Sequence, residues 1–84
     1  MTDTIQSYGK KHPKIYRIDV AGVLDSKWSD RLGGLSIENG TGDDPNKTLT
    51  VLEGPIRDQA ELYGILNTLN DLRYPLLSVK IVKE

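Results

Sequence analysis

The sequence predicts an α+β domain with the element order βαββαβ, in which two helices cover one face of a four-stranded antiparallel sheet. Apolar and polar residues alternate in four separate segments, which is the pattern of half-buried strands. A segment with helix-capping residues follows the first of them, and a longer segment with an apolar stripe of helical period precedes the last. A chain of 84 residues has room for one domain, so these elements are expected to share one core.

The first strand is predicted from Lys14 to Val23, where Tyr16, Ile18 and Val20 fall on one face. The residues before it are polar and aperiodic, and they lack the apolar area that would offset the entropy of ordering them. We therefore expect a flexible polar tail at 1–13 and a single domain at 14–84.

A short first helix is predicted after this strand. Asp25 can accept hydrogen bonds from the first free amides, and Gly33–Gly34 stop the helix. Leu24, Trp28 and Leu32 are spaced by four residues, so they line one face that is expected to pack on the sheet.

The second and third strands are predicted to form a hairpin. Apolar and polar residues alternate at 35–38 and again at 47–52, with a loop rich in Gly, Asn and Asp between them. In the third strand we expect Leu49 and Val51 to face inward and Gly54–Pro55 to end the strand.

The main helix is predicted from Asp58 to about Arg73, and Asp58 with Glu61 forms a variant of the capping box. Its core face consists of leucine and isoleucine residues at helical spacing: Leu62, Ile65, Leu66, Leu69 and Leu72.

The last strand follows Pro75, where Leu77, Val79 and Ile81 alternate with polar residues. The complete order is the split βαβ arrangement of a ferredoxin-like fold, with a short first helix and a long second helix on one face. We expect its first and third strands to be adjacent and parallel, which would bring both helix starts to the same end of the sheet.

Composition argues against three classes of protein, which are nucleic-acid-binding proteins, proteins that use cysteine chemistry and membrane proteins. Eleven basic against twelve acidic residues give a net charge of -1, which offers no general attraction for nucleic acid. The chain contains no Cys, which excludes disulfides, thiolate metal sites and a cysteine nucleophile. The N-terminus has no signal-peptide pattern and no apolar run has membrane-spanning length, so we expect a cytoplasmic protein without a membrane partner.

No catalytic constellation is apparent. His12 is the only histidine and lies in the expected tail, where a catalytic triad or metal site is hard to hold. Capping and solvation account for Asp25 and Asp30, and the acidic loop between the second and third strands matches no calcium-ligand spacing. We expect no enzyme activity, no cofactor and no metal.

Three motifs resemble a group of small bacterial proteins of unknown function. They are LDSKWSDRLGGL at 24–35, GPIRDQAELYGIL at 54–66 and LRYPLLSV at 72–79. A looser likeness is to ACT regulatory domains, which share the βαββαβ order and place a glycine-containing turn after the first strand, as DVAGVL at 19–24 does here. The first resemblance implies a compact protein without a known activity, and the second implies a regulatory role. The shortened first helix departs from the ACT pattern at the turn where an amino acid would bind.

Two surfaces are candidate sites. If both helix starts lie at the same end of the sheet, their free amides and nearby cations would bind a small anion or carboxylate. The residues of this ligand site are Lys27, Trp28, Arg57 and Gln59.

The second candidate is the outward face of the main helix, where Gly64 occupies a position at which Ala would be more stable by about 1 kcal/mol. Its neighbours form a ridge of small residues that another helix or strand would approach closely. The residues of this interface are Ala60, Tyr63, Gly64, Asn67 and Thr68. We expect a small interaction or regulatory module that forms a homodimer or binds a protein partner, and the alternative is a small-molecule sensing domain.

Overall fold

The computed structural model describes residues 13–41 and 46–84. Its elements are β1 (Lys14–Ala21), a 3₁₀ helix (Ser26–Leu32), β2 (Ser36–Gly40), β3 (Leu49–Ile56), α1 (Gln59–Asp71) and β4 (Leu76–Lys83). The four strands form one sheet in the order β2-β3-β1-β4, and every neighbouring pair is antiparallel. The predicted tail at 1–13, apart from Pro13, and residues 42–45 of the loop lie outside the described residues.

The predicted ferredoxin-like fold with two α-helices is wrong, because the first helical segment is a 3₁₀ helix of seven residues. The segment lies between the Asp25 cap and Gly33, which has φ of 71°, so it has room for about two turns. Helical segments as short as this one commonly adopt 3₁₀ geometry, because few of the hydrogen bonds of an α-helix can form within them.

The predicted parallel pairing of the first and third strands is also wrong. Lys14 lies opposite Ile56 and Ala21 lies opposite Leu49, so β1 and β3 run in opposite directions. The crossover returns β2 parallel to β1, and the hairpin between β2 and β3 then reverses the chain.

In β3 the predicted inward face is wrong by one residue. Thr50 and Leu52 are fully buried, whereas Leu49 and Val51 belong to the opposite, half-buried face. Because side chains alternate along a strand, a shift of one residue exchanges the two faces. The structure buries a polar residue here because the Thr50 hydroxyl has hydrogen-bond partners inside the fold.

Gly54–Pro55 does not end β3, which continues to Ile56. The pairing with β2 stops at Glu53, so Pro55 lies where β3 has a neighbouring strand on one side among the described residues, and proline is tolerated there. A Cβ at Gly54 would lie 2.8 Å from Leu35 Cδ2, so a larger residue here would force the Leu35 side chain to move.

The core lies between the sheet and the layer formed by α1 and the 3₁₀ helix. Its buried apolar residues are Ile18, Val20, Leu24, Leu32, Leu35, Leu52, Ile56, Ile65 and Leu69. The predicted core face of α1 is confirmed, because Ile65 and Leu69 are buried and the other three leucines pack against the core. The predicted capping box is confirmed as well: Asp58 accepts a hydrogen bond from the Glu61 amide, and Glu61 accepts one from the Arg57 amide.

Candidate interaction surface

The structure separates the two halves of the predicted ligand site. The 3₁₀ helix starts near the beginning of β3, where the Leu24 amide donates to Thr50 Oγ1 at 3.0 Å. By contrast, α1 starts after the end of β3, and the seven residue steps between Leu49 and Ile56 span about 23 Å. The end of the 3₁₀ helix, not its start, meets α1, since a Cβ at Gly33 would lie 3.0 Å from Ile65 Cδ1.

Lys27 and Trp28 are therefore not brought together with Arg57 and Gln59. Lys27, Arg57 and Gln59 are exposed, while Trp28 packs against the core with the Arg31 guanidinium 5.5 Å from its ring centre. The predicted anion site required β1 and β3 to be parallel, so that both helix starts would lie at the same end of the sheet. Because the two strands are antiparallel, the helix starts lie at opposite ends.

At each helix start an aspartate of the chain itself already binds a free amide. Asp25 accepts a hydrogen bond from the Lys27 amide at 2.9 Å, and Asp58 accepts one from the Glu61 amide at 2.8 Å. Two capping carboxylates supply the negative charge that a ligand would otherwise bring to these positions. The capping interpretation of both aspartates thus agrees with the structure.

The predicted interface on α1 is open to solvent. Ala60, Tyr63, Gly64 and Asn67 are exposed, and half-buried Thr68 donates from its hydroxyl to the Gly64 carbonyl at 2.9 Å. An added Cβ at Gly64 would meet no described atom within 4 Å. Packing within the described part of the chain therefore does not require glycine at this position, and the α1 interface stays a prediction.

A larger apolar surface lies on β4, which is an edge strand of the sheet. Within the described residues, β4 pairs with β1 on one side and with no strand on the other. Four of the six exposed large apolar residues in this part of the chain belong to β4: Leu76, Leu77, Ile81 and Val82. Their exposed fractions are 41–56%.

The exposure of β4 has a structural cause. The register with β1 passes from Leu76 to Ser78 and from Ile81 to Lys83, so Leu77 and Val82 are extra residues at two irregularities of the pairing. Of the β4 residues only Val79 packs against the core. The sequence pattern put Leu77, Val79 and Ile81 on one face of the last strand, and it did not reveal the two irregularities that leave Leu77 and Val82 exposed.

The uncovered face of the sheet is polar at its centre. Arg17 and Asp19 form an ion pair of 2.9 Å, with Glu53 directly opposite Arg17 on β3. The hydrogen bond that Asp19 accepts, together with its charge, raises the pKa of Arg17 above its ordinary value. The centre of this face is therefore an ion pair with a third charged residue beside it, and the exposed apolar area is concentrated at the β4 edge instead.

The described residues offer little for other chemistry. No group of three His, Cys, Asp or Glu side chains within them is arranged to hold a metal ion. Nor does either helix of this part of the chain have the length and apolar character needed to cross a membrane. What the geometry does provide is an unpaired strand edge with apolar side chains.

Comparison with known proteins gives a family without a known activity. No curated protein and no solved structure matches the chain. The sequence model of one family matches residues 15–80, and that family is described as a domain of unknown function, DUF8691. This match confirms the resemblance to uncharacterised small proteins in its general form. Since the match covers most of its length, the chain belongs to the DUF8691 family.

Proposed function

We propose that this protein is a small, non-catalytic interaction module that associates with itself through β4. The observation that carries the proposal is the concentration of exposed large apolar side chains on a single edge strand. An edge strand presents unpaired backbone N–H and C=O groups, and natural proteins usually shorten, charge or cover such edges. Here Lys80, Lys83 and the two irregularities protect part of the edge, but it is eight residues long and half of these residues are large, apolar and exposed.

The strength of the association follows from the exposed area. Full burial of a large apolar side chain contributes about 1.5–3 kcal/mol, so covering the exposed halves of four such residues on each of two chains contributes about 6–12 kcal/mol. Association costs about 4–15 kcal/mol in lost freedom of motion. The two terms are similar, so the apolar contact only offsets the cost of association. The net affinity of a reversible micromolar dimer must come from the backbone hydrogen bonds between the paired strands, which contribute about 0.5–1.5 kcal/mol each.

The non-catalytic part of the proposal rests on the side chains. The chain has no cysteine and a single histidine, His12, which lies outside the described residues. The sequence further leads us to propose a bacterial, cytoplasmic protein. The sensing alternative depended on two adjacent helix starts and is not proposed.

The test is the solution mass, measured by light scattering after gel filtration from low to high micromolar concentration. Leu77→Lys and Tyr63→Lys form a matched pair, because both wild-type side chains are 56% exposed and only Leu77 lies on β4. We expect the native chain and Tyr63→Lys to approach the dimer mass as concentration rises, while Leu77→Lys stays monomeric.

Each other outcome argues against the proposal. A monomer at every concentration for the native chain excludes self-association in this range. A dimer that Tyr63→Lys and Gly64→Ala disrupt while Leu77→Lys keeps it would move the interface to the outward face of α1. Thermal melting of each variant is the control, because it distinguishes a change from dimer to monomer mass in a folded protein from a change caused by unfolding.

A further inference from the structure

We infer that two copies of β4 pair antiparallel about a two-fold axis at Val79, which joins two sheets into one of eight strands. This inference rests on the proposed function and specifies its geometry. The arrangement of exposed apolar and polar residues along β4 supports this geometry.

The pattern of β4 is symmetric about Val79. Outward from this residue in either direction, one polar residue is followed by two exposed apolar residues. Ser78 and Leu76–Leu77 lie on one side, and Lys80 and Ile81–Val82 lie on the other. A two-fold interface brings the same patch of both chains together, so it requires a self-complementary pattern of this kind.

Antiparallel pairing centred on Val79 matches the exposed residues with one another. Leu77 comes opposite Ile81 of the second copy, and Leu76 comes opposite Val82. Each of these side chains is about half exposed in the single chain, so each covers and is covered by another exposed apolar group. An unrelated partner strand would need the same spacing by chance, whereas a second copy has it necessarily.

The neighbouring registers match less well, because an axis at Ser78 would place Lys80 opposite Leu76 of the second copy and lose the apolar match. A two-fold axis at Lys80 would place two lysines directly opposite each other, which is destabilising in a sheet. With the axis at Val79, Lys80 lies opposite Ser78 of the second copy. A two-fold axis midway between two consecutive residues is excluded as well. It would place residues that point to opposite faces of the sheet directly across from each other, because side chains alternate along a strand.

The size of the contact predicts its strength. Eight strand residues span about 26 Å, so pairing along their length buries on the order of a few hundred Å² per chain, less than the roughly 800 Å² of a standard stable interface. The regular pairing with β1 is limited to Ser78–Ile81 by the two irregularities. Both features agree with a dimer that exchanges readily.

The absence of cysteine from the chain allows a direct test by disulfide crosslinking. With the axis at Val79, the two Cα atoms of this residue lie about 4.5–5.5 Å apart, which is within the range of a disulfide. The two Cα atoms of Ile81 are offset by four residues, about 13 Å along the strands. Mild oxidation should therefore crosslink Val79→Cys at least tenfold more than Ile81→Cys, as measured by non-reducing gel electrophoresis at a concentration where the native chain is dimeric.

A second pair keeps the test valid if Val79→Cys weakens folding. Ser78 and Lys80 lie next to Asp19 and Arg17 of β1, on the uncovered face of the sheet, and the axis at Val79 places them opposite each other in the dimer. A mixture of Ser78→Cys and Lys80→Cys chains should give more crosslinked dimer than either variant alone.

The outcomes separate this inference from the proposed function. Crosslinking of Ile81→Cys above Val79→Cys in a protein of dimer mass overturns the register and leaves self-association standing. A dimer that none of these cysteines crosslinks overturns pairing through β4. A native chain that remains a monomer removes the proposed function itself.

Discussion

The Thr50 hydroxyl offers the sharpest test of how this small core is held together. It is fully buried, accepts a hydrogen bond from the Leu24 amide at 3.0 Å and lies 2.8 Å from the Gly22 carbonyl. Its third contact is Asn39 Oδ1 at 2.7 Å. The hydroxyl carries one proton, so it donates to the carbonyl when Asn39 turns its amide NH₂ toward it. One side chain thus connects β3 to β2 and to the turn after β1.

Thr50→Val keeps a branched side chain but removes all three hydrogen bonds. Asn39 is exposed and can turn to water, whereas the buried Leu24 amide is left without a partner. An unsatisfied buried donor costs about 1–3 kcal/mol, so we expect the free energy of unfolding to fall by about 2 kcal/mol. In a domain of this size the melting temperature should decrease by about 8–16 °C.

The assay is urea denaturation followed by the fluorescence of Trp28, the single tryptophan, which packs against the core. Thr50→Ser is the matched control, because it keeps the hydroxyl and loses one methyl group, worth about 1 kcal/mol. The urea concentration at the unfolding midpoint should be highest for the native chain, lower for Thr50→Ser and lowest for Thr50→Val. If the Val variant is as stable as the Ser variant or more so, apolar packing outweighs the hydrogen bonds and the reasoning is wrong.

Three other predictions concern the backbone. Gly54→Ala should lower the free energy of unfolding by about 1–3 kcal/mol, because its Cβ would overlap Leu35, and an unchanged urea midpoint would show that Leu35 moves aside. Gly64→Ala should raise it by about 1 kcal/mol, since nothing blocks the added methyl group and alanine favours the helix, and a lower melting temperature would contradict this. Arg73 has φ of 66° in the turn that ends α1, so Arg73→Gly should stabilise the protein by about 1 kcal/mol in the same denaturation assay. A loss of stability would show that the arginine side chain contributes more than its backbone strain costs.

Elements set by short-range interactions could be predicted from the sequence. Asp25 caps the first helical segment, Gly33 ends it with φ of 71°, and Asp58 with Glu61 starts α1, all as expected. Each of these interactions joins residues a few positions apart, so their energy depends little on the rest of the fold. The core stripe of α1 was predictable for the same reason, because helical spacing fixes which side chains share a face.

The inward face of β3 was not predictable in the same way. Alternation assigns residues to two faces but does not say which one is buried, and Leu49 and Val51 are more apolar than Thr50. The structure buries Thr50 because groups from β2 and from the turn after β1, distant in the sequence, satisfy its hydroxyl. A polar residue at a core position is therefore explained only by partners that the fold assembles.

The candidate sites also depended on long-range pairing, which local sequence patterns do not determine. Whether Lys27 and Arg57 lie together depends on the relative direction of β1 and β3, a property of long-range pairing that the local pattern does not contain. The exposure of Leu76 and Val82 depends on β4 being at the edge of the sheet, which follows from the strand order. Residue composition alone determined the absence of cysteine chemistry and of a strong net charge.

The amino-acid sequence on its own thus specified the order of the strands and helical segments, how the helical segments are capped and which face of α1 enters the core. The type of the first helix, the relative direction of β1 and β3, the burial of Thr50 and the irregular pairing of β4 were decided only when the chain folded. The physical reason is distance along the chain. Caps and helical stripes depend on neighbours within one or two turns, whereas sheet register depends on which distant segments pair.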